Sequence, residues 1–184
     1  MAEESFSFMN YKAFGEVEQD RFAYDWAKAH KLSTGTFLDI GCGDPFDCNN
    51  TYGLELIGWH GVGVDYNPEI VAKFNTSRIT HAICENALTI DWKTELTAAG
   101  LGSIIDFLSL DLMDEEPDIM KALLEAGFSF HVITIEHDNE PEIKRKEREL
   151  LSGAGYTLIK PDVLAPAWGP NQNRTPFEDW WTHE

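Results

Sequence analysis

Glycines and a carboxylate follow two short apolar runs of the chain. The run 37–40 leads into Gly41 and Gly43, and glycines at such a turn let the backbone approach a ligand closely because they carry no Cβ. A second run, 61–64, ends in Asp65, which follows Gly43 by 22 residues. An acid about 20 residues beyond a glycine turn is placed to bind ribose hydroxyls. The spacing therefore predicts a nucleoside-binding site.

The residues around this turn favour a cationic sulfonium over a pyrophosphate. A dinucleotide-binding turn has a third glycine, and Phe46 stands in its place. Three acids, Asp39, Asp44 and Asp47, surround the turn and would repel pyrophosphate. We therefore expect S-adenosylmethionine as the cofactor, with NAD as the less favoured alternative. Asn86 and Ala87, after the third apolar run, are expected to form a polar edge for adenine.

Acids also end the fourth and fifth apolar runs. Asp111, Glu136 and His137 are the candidate catalytic residues, because a base can take the proton of a hydroxyl nucleophile during methyl transfer. A purely structural role for His137 is the alternative. Asp111, Glu136 and Asp138 could also supply hard oxygen ligands to Mg²⁺, which makes them candidate metal ligands.

Apolar runs alternate with amphipathic segments along the chain, which predicts a mostly parallel sheet with helices on both faces. The predicted strands are 37–40, 61–65, 80–84, 104–111, 131–136 and 156–159, with a possible edge strand at 179–182, and the predicted helices are 19–30, 68–74, 118–126 and 142–154. We expect one domain over 1–184. It would comprise an N-terminal helical lead-in at 1–34 and a C-terminal loop and edge strand at 161–184.

The composition restricts the classes of partner. The chain has 184 residues with 14 Lys+Arg against 32 Asp+Glu, a formal net charge of −18. Nucleic acid and anionic membrane surfaces are disfavoured, because binding phosphate requires clustered cations. Hydrophobic residues make up 43% of the chain, which is enough for a packed core. Three cysteines, and an N-terminus without a basic or long apolar segment, favour a cytoplasmic location.

Several segments together resemble the FkbM-like family of class I S-adenosylmethionine-dependent methyltransferases. The similar segments are 18–22, 37–44, 50–52, 54–55, 58–61, 105–111, 133–137, 155–156 and 179–181. The resemblance implies a Rossmann-like class I methyltransferase fold with about seven strands. It also implies S-adenosylhomocysteine as product, and O-methylation of a hydroxyl on a small-molecule or sugar-like acceptor. Residues implied at the cofactor are Asp39, Gly41, Gly43, Asp65 and Asn86, with Gln19 and Asp20 closing over it and Tyr66 packing on adenine.

Two departures from the family pattern bear on function. The family's Glu-Gly-Ala-Glu segment reads Met113-Asp114-Glu115-Glu116 here, which leaves open a catalytically inactive methyltransferase-fold binding protein. The second strand ends in Asp65 rather than in Glu-Pro, and Asp can still accept from ribose hydroxyls. Because the chain is short, we expect the acceptor to be enclosed by the N-terminal helix, by the tail with Trp168, or by a second subunit in a homo-oligomer.

Overall fold

Seven strands form one sheet in the computed structural model, which describes residues 11–166 and 174–184; Trp168 lies outside these residues. The strands are β1 Thr36–Ile40, β2 His60–Asp65, β3 His81–Cys84, β4 Ile104–Leu110, β5 Ser129–Glu136, β6 Thr157–Leu164 and β7 Pro176–Thr182, in the order β3-β2-β1-β4-β5-β7-β6. The first five strands pair in parallel, and β7 pairs antiparallel with β5 and β6. The predicted mostly parallel sheet of about seven strands is confirmed.

The described residues form six helices, of which the first precedes β1 and the other five connect strands. They are α1 Gln19–Ala29, α2 Tyr52–Leu56, α3 Pro68–Ser77, α4 Trp92–Ala98, α5 Glu116–Glu125 and α6 Pro141–Gly153. Asn67 caps α3, because its side chain accepts a hydrogen bond from the backbone N–H of Glu69. None of the described helices is long and apolar enough to cross a membrane.

The two faces of the sheet bury different residues, because side chains alternate along a strand. Phe37, Phe107 and Val132 pack on one face against α1 and α2. We call this the α1 face. Their neighbours in the sequence, such as Leu108 and Ile133, pack on the opposite face against α4, α5 and α6. The register then places Thr134 and Glu136 on the α1 face, with Ile135 and His137 on the other.

The C-terminal segment differs from the prediction of a loop and an edge strand. The strand β7 lies between β5 and β6, so the predicted edge strand is an inner strand of the sheet. Its two tryptophans, Trp180 and Trp181, are buried on opposite faces, which stabilises the strand in this inner place. The edge position belongs to β6, which extends to Leu164 through Pro161. An edge strand tolerates proline because one side of its backbone needs no ladder hydrogen bond.

Candidate functional site

The glycine turn after β1 has a backbone that requires glycine. Gly41 and Gly43 have φ values of 81° and 54°, in the left-handed region that side chains disfavour. A Cβ added at Gly41 would lie 1.9 Å from the carbonyl oxygen of Asp111. The end of β1 and the residue after β4 are therefore packed against each other through bare backbone.

Asp65 ties the end of β2 to this turn. One of its carboxylate oxygens, Oδ2, accepts from the backbone N–H of Gly43 at 3.3 Å, and Oδ1 accepts from the N–H of Asn67 at 2.8 Å. The acid after β2 and the glycine turn after β1 are thus in direct contact. The residue is only 8% exposed, so its charge is held at the mouth of the cleft between the strand ends.

A cavity of about 310 Å³ opens at the carboxyl ends of β1, β2 and β3, next to Asp65. It is lined by Ile40, Gly41, Val64, Asp65, Tyr66, Glu85, Asn86, Ala87, Leu88, Leu112, Met113, Glu115 and Ile119. Apolar side chains form its walls, three carboxylates and an amide supply its polar groups, and this lining contains no lysine or arginine. Five of the nine predicted cofactor residues are in it, namely Gly41, Asp65, Tyr66, Asn86 and Ala87.

The predicted adenine-edge residues differ in exposure. Tyr66 is 75% exposed at the rim of the cavity, so one face of its ring is open to a planar ligand. Asn86 organises the turn after β3, because its Oδ1 accepts from the N–H of Leu88 at 2.8 Å and its backbone carbonyl accepts from Thr89. Ala87, beside it, is buried.

Four predicted cofactor residues lie outside the lining of this cavity. Gly43 is held behind it by Asp65. Asp39 is buried beneath the turn, where its Oδ2 accepts from the hydroxyl of Thr51 at 2.8 Å, and burial raises its pKa to about 6. Gln19 and Asp20 lie away from the cavity and organise the segment that precedes α1.

Gln19 and Asp20 are buried and form hydrogen bonds within the protein. The carboxylate of Asp20 accepts from the hydroxyl of Tyr11 at 2.8 Å and from the N–H of Phe14 at 2.9 Å. The amide of Gln19 accepts from Val17 N–H and donates from Nε2 to Glu178 at 3.2 Å. Both residues therefore fix residues 11–18 against α1 and β7.

The structure separates the three catalytic candidates. Asp111 and Glu136 are half-buried neighbours, since the residues before them, Leu110 and Ile135, are register partners. Burial is the main cause that raises the pKa of the Glu136 carboxyl, and the neighbouring Asp111 raises it further. His137 points to the opposite face, where its Nε2 lies 3.4 Å from Asp179 Oδ1. The sequence alone could not place His137 because it lies just beyond the predicted strand.

The candidate Mg²⁺ ligands do not form a cluster. Among the described residues, the group with ligand atoms within 4.8 Å of one another is His137, Asp162 and Asp179, not Asp111, Glu136 and Asp138. In that group, Arg148 donates to both carboxylates and the ammonium of Lys144 pairs with Asp162. These cations already neutralise the acids, and the Mg²⁺ hypothesis is not supported.

Two buried glutamates near the site were missed in the sequence. Glu178, on β7, accepts from Gln19 and from the indole N–H of Trp180. Glu116 holds the loop after β4, because its two oxygens accept from the N–H groups of Leu112 and Asp114. Burial raises the pKa of Glu116 to about 7. Glu116 is the one acid of the segment 113–116 that matches the family pattern, and this match was a signal for its importance. No comparable signal in the sequence pointed to Glu178.

Comparison with known proteins gives matches among solved structures. The O-methyltransferase from Bacillus cereus in complex with SAH is 14% identical, with a TM-score of 0.60 over 95% of this chain and 85% of that one. A TehB-like SAM-dependent methyltransferase from Corynebacterium glutamicum is 12% identical, with a TM-score of 0.58 over 90% and 88%. The small RNA methyltransferase HEN1 is 13% identical, with a TM-score of 0.57 over all of this chain and 27% of that one.

These similarities define the fold. The chain has the Rossmann-like methyltransferase fold, with a seven-stranded, mostly parallel sheet. No protein-family model matches the chain, and no curated protein matches it. Several of the solved structures that resemble it are named as methyltransferases, among them an O-methyltransferase, a SAM-dependent methyltransferase and a small RNA methyltransferase.

Proposed function

We propose that the protein is an S-adenosylmethionine-dependent methyltransferase that binds its cofactor in the cavity at the ends of β1, β2 and β3. The polarity of this cavity is the observation that carries the proposal. Asp65, Glu85 and Glu115 line it together with apolar walls, and its lining has no cationic side chain. A sulfonium and a neutral adenosyl group fit such a lining, because neither brings a negative charge to the carboxylates.

The same region is poorly suited to NAD. In a dinucleotide-binding fold the pyrophosphate sits at the N-terminus of the helix that follows the glycine turn. Here the next helix, α2, has five residues and begins at Tyr52, well beyond Gly43. The acid nearest the turn's exit, Asp44, pairs with Lys73, so that this lysine is already engaged.

Four of the lining residues have a part in holding the cofactor. Asp65 accepts from ribose hydroxyls with the lone pairs that Gly43 and Asn67 leave available. The exposed ring of Tyr66 packs on the adenine, and the turn at Asn86 and Ala87 borders the edge of the base. When bound, S-adenosylmethionine supplies a methyl group at a cationic sulfur for in-line transfer to a nucleophile.

The acceptor is proposed to be a small molecule that presents a hydroxyl. Asp111 and Glu136 lie beside the cofactor cavity, and one of them would take the hydroxyl's proton. His137 is not assigned this role, because it faces the other side of the sheet. The motif resemblance to the FkbM-like family supports O-methylation and is part of the same proposal.

A catalytically inactive binding protein is the second candidate. The segment Met113–Glu115 departs from the family pattern, and Met113 and Glu115 line the cavity. Cofactor binding with no S-adenosylhomocysteine formed from any acceptor in a broad panel of hydroxyl compounds would favour this second function.

A thermal-shift assay on the full chain tests the cofactor. We expect S-adenosylhomocysteine and S-adenosylmethionine to raise the melting temperature, and NAD to leave it unchanged. The variant Asp65→Ala should bind S-adenosylhomocysteine at least about 10-fold more weakly, since bonds to a charged group contribute about 1.5–3 kcal/mol. Asp25→Ala, which removes an exposed acid on α1, is the matched control and should bind normally. A shift with NAD alone, or no shift with any of the three compounds, would overturn the proposal.

A further inference from the structure

Three carboxylates lie side by side across three adjacent strands. Glu136 on β5 and Glu178 on β7 are register partners, and Asp111 follows the register pair Leu110 and Ile135. Side chains that are directly opposite have Cβ atoms about 5 Å apart, and like charges in this position destabilise a sheet. Asp111, Glu136 and Glu178, which we call the carboxylate row, all point to the α1 face.

The row has no cationic partner among the described residues. No ion pair within 4.0 Å involves any of its three members. Arg148 donates to Asp179 on the opposite face, and the Lys160 ammonium lies 4.0 Å from the centre of the Trp180 ring. Burial raises the pKa of Glu136 and that of Glu178, so that the row retains protons more strongly than exposed acids do.

An unpartnered buried oxygen lies near the row. Asn50 is 7% exposed and donates from Nδ2 to the hydroxyl of Ser109, which lies two residues before Asp111 on the same face of β4. Its other amide atom, Oδ1, accepts no hydrogen bond in the described structure. A Cβ built on Gly15 would lie 2.7 Å from both Asn50 Oδ1 and the Oε1 of Gln19, whose Nε2 donates to the row at Glu178. Asn50 Oδ1 therefore faces Gly15 and Gln19, and Gln19 in turn contacts the row at Glu178.

The missing partner of these groups is a hydrogen-bond donor with a positive charge. Ionised carboxylates and the amide oxygen are all acceptors. Glu178 already accepts from Gln19 and Trp180, whereas among the described residues Asn50 Oδ1 has no partner and no cation offsets the like charges of the row. Glu16, on the loop before α1, is a fourth carboxylate near Asp111; burial, and then the charge of Asp111, raises the pKa of Glu16. An ammonium or guanidinium group carries several N–H donors and would neutralise this arrangement.

The row lies next to the proposed methyl donor. The carbonyl oxygen of Asp111 contacts Gly41, which lines the cofactor cavity, and Leu112 after it lines the cavity as well. We propose that the methyl acceptor carries a cationic nitrogen group, an ammonium or a guanidinium, which the carboxylate row holds beside the cofactor cavity. This inference rests on the proposed function, because it names the substrate class of that same site.

Two matched pairs of compounds test the charge of the acceptor. Tyramine and 2-(4-hydroxyphenyl)ethanol share a phenol, and 4-amino-1-butanol and 1,4-butanediol share an alcohol. In each pair the first compound carries an ammonium group and the second does not. Their binding to the full chain, saturated with S-adenosylhomocysteine, is measured by saturation-transfer NMR, which detects weak binding. We expect the cationic member of at least one pair to bind about 10-fold or more tightly than its neutral partner.

Variants then locate the binding. Glu136→Gln and Glu16→Gln should each remove most of the preference for the cationic compound, and Glu16 lies in a loop, so its variant should fold. Glu125→Gln removes an acid that is 68% exposed on α5 and should keep the preference, which controls for general attraction to an acidic protein. Equal binding of both members of each pair would overturn the inference. A preference for the cationic compound that survives in both Glu136→Gln and Glu16→Gln would overturn it too.

Two further outcomes separate the inference from its foundation. If S-adenosylhomocysteine itself fails to bind, the proposed function fails. If S-adenosylhomocysteine binds but no cationic compound does, only the inference fails. The row could also serve the amino group of the cofactor. In that case Glu136→Gln would weaken S-adenosylhomocysteine while leaving 5′-methylthioadenosine, which lacks that amino group, unchanged; this result would overturn the inference too.

Discussion

Replacing Glu178 by glutamine should change how stability depends on pH. Glu178 is buried on the inner strand β7, where it accepts from the Trp180 indole at 2.5 Å and from Gln19 at 3.2 Å. Burial, together with the nearby charges of Asp111 and Glu16, raises its pKa from 4.5 to about 8 despite these two hydrogen bonds. The amide in Glu178→Gln has nearly the same shape and never ionises.

The magnitude follows from the pKa. Between pH 4.5 and about 8, the folded protein keeps a proton on Glu178 that the unfolded chain has lost, so stability falls as the pH rises. Each pH unit in this interval costs about 1.4 kcal/mol, and the full loss is about 5 kcal/mol. The variant escapes this loss. It gives up about 1 kcal/mol, because the new amide nitrogen faces Gln19 Nε2 and two donors cannot bond.

Urea unfolding at several pH values measures the difference. At about pH 5, Glu178→Gln should be about 1 kcal/mol less stable than the parent protein, and at about pH 9 it should be about 3–4 kcal/mol more stable. Glu125→Gln should follow the parent at every pH, because its side chain is exposed. A stability difference that stays constant from about pH 5 to about pH 9 would refute the reasoning, since it would mean that Glu178 ionises normally.

Other substitutions probe the turn, the buried ion pair and the inner strand. Gly100→Ala, at a φ of 78° with no neighbour within 4 Å, should lower the free energy of unfolding in urea by about 1–2 kcal/mol. Gly41→Ala should lower it further and abolish S-adenosylhomocysteine binding, because its Cβ would meet the carbonyl oxygen of Asp111. Equal losses in the two variants would contradict this close backbone contact. Arg78→Met should cost about 3–5 kcal/mol because it leaves Glu55 buried without its partner, and adding Glu55→Gln should recover part of that loss; no recovery would argue against the pair. Trp181→Ala should cost about 3–5 kcal/mol in the same assay, and a loss under about 1 kcal/mol would be inconsistent with its full burial.

Local signals in the sequence predicted most of the residues that line the proposed cofactor cavity. The glycines after β1 and the acid after β2 are each adjacent to a strand end, and parallel strands bring such ends together. The contact between Asp65 and the N–H of Gly43 follows from that rule. The helix α4, with seven residues, escaped prediction because so short a segment shows too little periodicity.

The carboxylates of the proposed acceptor site could not be predicted from the sequence in the same way. His137 and Glu136 are adjacent in the sequence, yet they face opposite sides of the sheet, because side chains alternate along β5. Glu178 gave no signal, since its nearest carboxylates come from β4 and β5 and its position depends on β7 inserting antiparallel beside β5. Gln19 and Asp20 were expected at the cofactor, and the structure shows them organising the segment before α1.

The sequence by itself determined the alternation of strands and helices, the glycine turn after β1 and the acid at the end of β2. These features depend on neighbours along the chain, on residue type and on the fixed geometry of parallel strands. Only the tertiary structure decided which carboxylates share a face and which of them find a cation. The order and direction of the strands set those contacts. In this sheet β7, the last strand in the sequence, lies beside β5 and completes the carboxylate row.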